Sequence, residues 1–196
     1  MGFLSKLLSR WFLPRKSAKL AISLVDFVQA LKMNAFVEKG LGDEIIETWN
    51  QDRSLDNFNP RDLGFAQHTI YYICNLIFES CLANDVNDGM EAFDVVIHVL
   101  RHSLNIEVEE AEAAALIGLR WRSAMMTGQW SAEVLDYEPT DHEREIFKVS
   151  GETAQRIAGL PGIVEPTDAE GKYFASLCAS LEPEMLLLAA SPALAH

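Results

Sequence analysis

The chain has 196 residues, 49% of them apolar and 23% charged, with seven prolines and eleven glycines; this composition suits one well-filled globular core and excludes a disordered chain. Its net charge of −13 is unevenly placed: residues 1–25 hold five cations and no acid, so they carry +5 and the remainder −18. An acidic body repels nucleic acid and anionic membrane alike, which leaves the N-terminal arm as the part suited to an anionic surface.

The arm opens the chain. Phe3, Leu4, Leu7, Leu8, Trp11 and Phe12 recur as adjacent pairs every four positions, with Ser5, Lys6, Ser9 and Arg10 between them. At about 100° per residue the apolar side chains cover one half of a helix and the serines and cations the other. Pro14 stops that helix, and Arg15, Lys16 and Lys19 add positive charge. Such a segment fits a bilayer interface or a hydrophobic groove on an acidic partner. Packing on its own domain, on a second copy, or removal as a leader are the competing accounts. An acid-free leader rich in Ser and Arg also describes a mitochondrial transit peptide. That account ranks lower, because Ser17 to Lys39 reads as continuous helix without a cleavage zone.

Ser17 is expected to cap this helix, with Leu20, Leu24, Phe27, Leu31 and Ala35 on one face and Gly40 as the stop. A shorter helix follows from Asp43 through Trp49, then a polar loop from Gln51 to Asn59. Asn59-Pro60 opens a helix to about Ala83 that is apolar nearly all round (Phe65, Ile70, Tyr71, Ile73, Leu76, Ile77, Phe78), as the central helix of a bundle is. After a turn at Asn84–Gly89, helices are expected from Met90 to Leu104 and from Glu107 to Thr127. The second has acids first, arginines late and Gly128 at its end, an order that suits the helix dipole. A short helix near Ser131–Tyr137 precedes two capping boxes, Thr140 with Glu143 and Thr167 with Glu170. These open helices to about Ala158 and Leu181, and Pro183 starts a last turn or two to Ala190. No stretch alternates long enough for a strand.

The sequence therefore reads as all-α: one bundle-like domain of about seven helices (residues 17–196) preceded by a basic amphipathic helix (residues 1–16). Cys74, Cys81 and Cys178 are an odd count without CxxC spacing, which favours buried thiols and a reducing compartment. Leu20–Val25 is too short for a signal h-region, no run reaches the length of a membrane span, and Lys6 occupies the hydroxyl position of a myristoylation motif.

Three patterns invite chemistry. Asp94, His98 and His102 share a helical stripe that can hold a divalent metal, but they point away from the face defined by Phe93, Val96, Ile97, Leu100 and Leu104, so a solvated polar face is expected. Asp85–Gly89 is one residue short of a calcium loop, and Val95 stands where its bidentate Glu belongs. Glu152–Ile163 has the cadence of a helix-turn-helix, yet its second helix would carry Asp168 and Glu170 toward phosphate. His68 and His142 read as isolated surface or cap residues. No GxSxG, P-loop, GxGxxG or HExxH occurs, and no cofactor motif. The expectation is a non-enzymatic adaptor or assembly protein, cytoplasmic and peripheral at an anionic membrane. Its attachment set is Phe3, Leu4, Lys6, Leu7, Leu8, Arg10, Trp11, Phe12, Arg15 and Lys16. A soluble protein docking this arm in a partner's groove is the alternative, and a metal enzyme using Asp94, His98 and His102 the remote one. A homo-oligomer is compatible with the sequence, and a nucleic-acid partner is not expected.

Overall fold

The computed structural model describes residues 13–38, 67–104, 107–130, 137–158 and 160–177. Within them lie six helices and no strand: α1 Arg15–Glu38, α2 Gln67–Ala83, α3 Gly89–Leu104, α4 Val108–Thr127, α5 Asp141–Ala158 and α6 Asp168–Leu177. The all-helical, bundle-like fold is thus as the sequence predicts. The expected helices at 1–13 and 43–49, the Asn59-Pro60 start, the short helix near 131–137, the last turns beyond Pro183, and Cys178 lie outside the described residues.

Helix α2 is the hub. Every residue from Thr69 to Phe78 is buried, and α2 contacts each of the other five helices. A helix walled in on all sides must be apolar all round, which is why its sequence lacks a polar stripe.

Around it, the helix ends are held by local chemistry. Asp88 Oδ1 accepts the Met90 and Glu91 amides at 2.8 and 3.1 Å and so caps α3. In α4 the Glu107 amide donates to Glu110 at 3.1 Å, and Gly128, at φ 65°, closes the helix by donating to the Ala124 carbonyl at 2.8 Å. Both predicted capping boxes form. The Thr140 amide donates to Glu143 Oε2 at 2.8 Å and the Glu143 amide returns to Thr140 Oγ1 at 3.2 Å. Thr167 and Glu170 repeat the same pair of bonds at the same distances.

Helix α1 differs from its expected start. It begins at Arg15, with the Ala18 amide donating to the Pro14 carbonyl at 2.8 Å. Ser17 is therefore no cap: it is buried, and its hydroxyl donates to Glu91 of α3. Further along, Gln29 Nε2 donates to the His102 carbonyl at 3.2 Å, and Lys32 Nζ donates to the Ser103 carbonyl. Partner numbers rise with donor numbers, so α1 and α3 run parallel. Lys32 is only 6% exposed. Its charge rests on the C-terminal carbonyls of α3, where the helix dipole is negative.

Two interior features fix the spacing of the bundle. Gly118 of α4 lies so close to α2 that an added Cβ would stand 2.5 Å from the Cys74 Cβ. Between α2, α4 and α5 a buried polar chain runs through the core. Arg122 Nη2 pairs with Glu79 at 2.7 Å and Nη1 donates to Asn75 at 3.4 Å. The Asn75 amide then donates to Ser150 Oγ at 2.7 Å and to the Phe147 carbonyl at 3.0 Å. These groups are satisfied by one another, the condition under which polar burial is tolerated.

Candidate surface-binding site

Of the ten residues expected to make the attachment surface, Phe3, Leu4, Lys6, Leu7, Leu8, Arg10, Trp11 and Phe12 lie outside the described residues. The other two, Arg15 and Lys16, form the first turn of α1 and so belong to the same helix as the body. Lys16 is exposed and pairs with Asp85 at 3.5 Å, a surface contact of small energetic weight. Beside it opens a cleft of about 570 Å3, with Lys16 and Lys19 at its rim, Leu24 and Phe27 in its lining, and Leu160 and Val164 of the α5–α6 connection opposite. Of its lining, Ile22 and Leu160 are 59% and 48% exposed. Cations and exposed aliphatic side chains thus meet where α1 leaves the arm.

A second concavity lies on the far side of the α2–α3 turn. It is an apolar groove of about 700 Å3 walled by Phe78 and Leu82 of α2, Val86, Met90 of α3, and Leu116 and Leu119 of α4. Leu82, Met90, Leu116 and Leu119 are 42–61% exposed. Arg122 also lines it, with its guanidinium already engaged by Glu79 and Asn75. The groove is therefore mostly apolar, with the Asp88 carboxylate, the α3 cap, also in its lining.

The metal-like stripe is solvated only in part: His102 is exposed as expected, while Asp94 and His98 are half-buried. One turn before His102, whose carbonyl accepts from Gln29 of α1, His98 is half-buried. Its ring centroid is 4.3 Å from that of His102, and burial, His102 and Arg101 push its pKa below the ordinary 6.5. Among the described residues no three His, Cys, Asp or Glu side chains are placed to hold a metal ion. Asp85–Gly89 is a turn, as expected, with Asp85 at φ 54° and Asp88 serving as cap. The segment with helix-turn-helix cadence, Glu152–Ile163, is the end of α5 and the start of the connection to α6, which resumes only at Asp168, a longer gap than the three or four residues of that motif. Arg156 clamps it by a fork onto Glu170, both bonds 2.7 Å.

His68 and His142 are not isolated. Their rings meet edge-on at 5.0 Å, and His68 Nε2 lies 4.0 Å from Glu143. Glu143 also accepts the Tyr137 hydroxyl at 2.6 Å, and Tyr137 meets the Tyr71 hydroxyl at 3.1 Å. Tyr71 in turn stacks on buried Trp121 at 4.5 Å. Burial and then His142 lower the His68 pKa against the opposing pull of Glu143, while burial and the bond to Glu143 push Tyr137 up. With the Thr140 amide and hydroxyl also bonded to it, both oxygens of Glu143 are engaged. The cluster is built to fix the start of α5 on α2. Burial likewise pushes Cys74 and Cys81 up to about 12, so both remain thiols.

Among the described residues no helix is long and apolar enough to cross a membrane. Comparison with protein-family models, curated proteins and solved structures gives no match.

Proposed function

We propose that this protein is a non-enzymatic helical adaptor, held peripherally at an anionic membrane surface by residues 1–16. The observation that carries the reading is the cleft end of α1. There Lys16, Lys19 and exposed Ile22 and Leu160 extend the arm's combination of positive charge and apolar side chains onto the folded body. The remainder of the protein is strongly acidic, so this end alone suits an anionic leaflet, and it orients the body away from the lipid. Each cation near such a surface contributes about 1 kcal/mol, and the apolar stripe adds burial at roughly 25 cal/mol per Å2. Binding of this kind is reversible and sensitive to salt.

Sedimentation with vesicles tests it. The full chain is expected to pellet with phosphatidylserine-containing vesicles, to release at high salt, and to ignore neutral vesicles. Lys6→Glu with Arg10→Glu should weaken the binding by at least about thirtyfold, two cations' worth. Equal pelleting with neutral and anionic vesicles, unchanged by the double substitution, would sink the reading.

A further inference from the structure

We infer that the apolar groove between α2, α3 and α4 is a docking site for residues 1–12 of the same chain, so that the arm is shared between its own body and its external surface. The inference rests on reading those residues as the attachment element, and adds how their availability is controlled.

Three observations converge on this occupant. The first is position. The described chain begins at Leu13, which packs on the core. Its next turn is pinned twice, Lys16 to Asp85 and Ser17 to Glu91. The residues between those anchors, from Val86 to Met90, are one wall of the groove. The arm therefore leaves the body beside the groove, and its twelve residues reach about 18 Å as helix.

The second is direction. Leu13 precedes Pro14, and a residue before proline is disfavoured in the helical region. Neither residue is helical here. The non-helical Leu13-Pro14 step thus separates α1 from the residues before it, so an arm helix would not have to continue the α1 axis.

The third is complementarity. The groove exposes Leu82, Met90, Leu116 and Leu119 with no partner among the described residues, an unusual apolar patch on so acidic a protein. The arm offers six large apolar side chains on one face, with Lys6 and Arg10 on the other. Asp88 is the carboxylate in the groove lining, and Asp85, three residues before it, holds Lys16. An amphipathic helix laid in an apolar groove is a standard recognition mode.

The consequence is a latch: an arm held in the groove is withheld from lipid, and the apparent vesicle affinity falls by the fraction of molecules in which it is free. Two measurements on the full chain test this. In a Cys178→Ser background, Leu8→Cys is paired with Leu119→Cys, or with Ser176→Cys at the exposed end of α6 as a remote control. Under mild oxidant the first pair is expected to close within one chain at least about tenfold faster than the control. Equal rates, or disulfide-linked dimers in place of the internal bridge, would overturn the proposal, the dimers by making a second copy the occupant. Leu116→Gln with Leu119→Gln, which leaves net charge unchanged, should then raise affinity for anionic vesicles severalfold over the wild type. An internal bridge with no vesicle binding by either protein keeps the docking and removes the attachment reading. Vesicle binding with no preferred bridge does the reverse.

Discussion

The polar seam between α2, α4 and α5 and the α2–α3–α4 groove place their side chains in opposite senses. In the first, Asn75, Glu79, Arg122 and Ser150 are drawn inward and bonded to one another. In the second, Leu82, Met90, Leu116 and Leu119 are left outside. Arg122 touches both: its head serves the buried chain while its side chain forms groove wall. A buried polar chain holds helices in one register, because any slip strands a group without a partner. An open apolar groove makes no such demand and tolerates occupancy or vacancy. One side of α2 is thus built for a single arrangement and the other for two.

That contrast can be broken first at Arg122. Arg122→Met removes the partner of Glu79 and Asn75, and should cost about 3 kcal/mol, the loss expected for half of a buried pair. Thermal unfolding followed by circular dichroism would then fall by roughly 6–12 °C, and adding Glu79→Gln should recover part of it. Gly118→Ala comes next. The added methyl meets Cys74 of α2 at 2.5 Å, an overpacking cost of about 1–3 kcal/mol that outweighs the roughly 1 kcal/mol gained in helix propensity. A drop in the urea midpoint checks it, and an unchanged midpoint would mean that α4 can slide on α2. A cap is weaker still: Thr140→Ala should cost about 1 kcal/mol and fray the start of α5, visible as faster amide exchange at Asp141–Arg144.

The smallest effect is titration. His68 and His98 both have pKa values lowered in the fold, first by burial. The unfolded chain therefore binds protons more readily below the ordinary 6.5, so the stability these groups contribute is complete above 6.5 and declines as pH falls through their folded values. His98→Gln should flatten the dependence of the urea midpoint on pH across this window. A slope identical to the wild type would remove His98 as a contributor.

The features legible in the sequence are those decided within a few residues. Thr140/Glu143 and Thr167/Glu170 are local bonds, and the spacing alone identifies them. The all-round apolar α2 is equally plain, since burial on every side leaves its mark on consecutive residues. The misreadings share a cause. Ser17 resembles a cap because its true partner, Glu91, is 74 residues away. His68 and His142 read as separate because only the packing of α2 on α5 brings their rings together. His98 looks solvated on its own helix, whereas in the fold it is half-buried. Gly118 stands inside a helical stretch of the sequence, and nothing local says that Cys74 is its neighbour. The groove has no local signature, because Leu82, Met90 and Leu116 come from three helices.

The parallel pairing of α1 with α3 bears on the order of folding. Its bonds join residues 71–74 apart, whereas α2 meets α4 through pairs 40–47 apart. Loop closure favours the nearer pairs, so α2, α3 and α4 are expected to assemble before α1 arrives. The groove is then already formed while the segment that would fill it is still distant in space. During that interval it is an unshielded sticky surface, and the nascent chain's acidic character is its main protection against self-association.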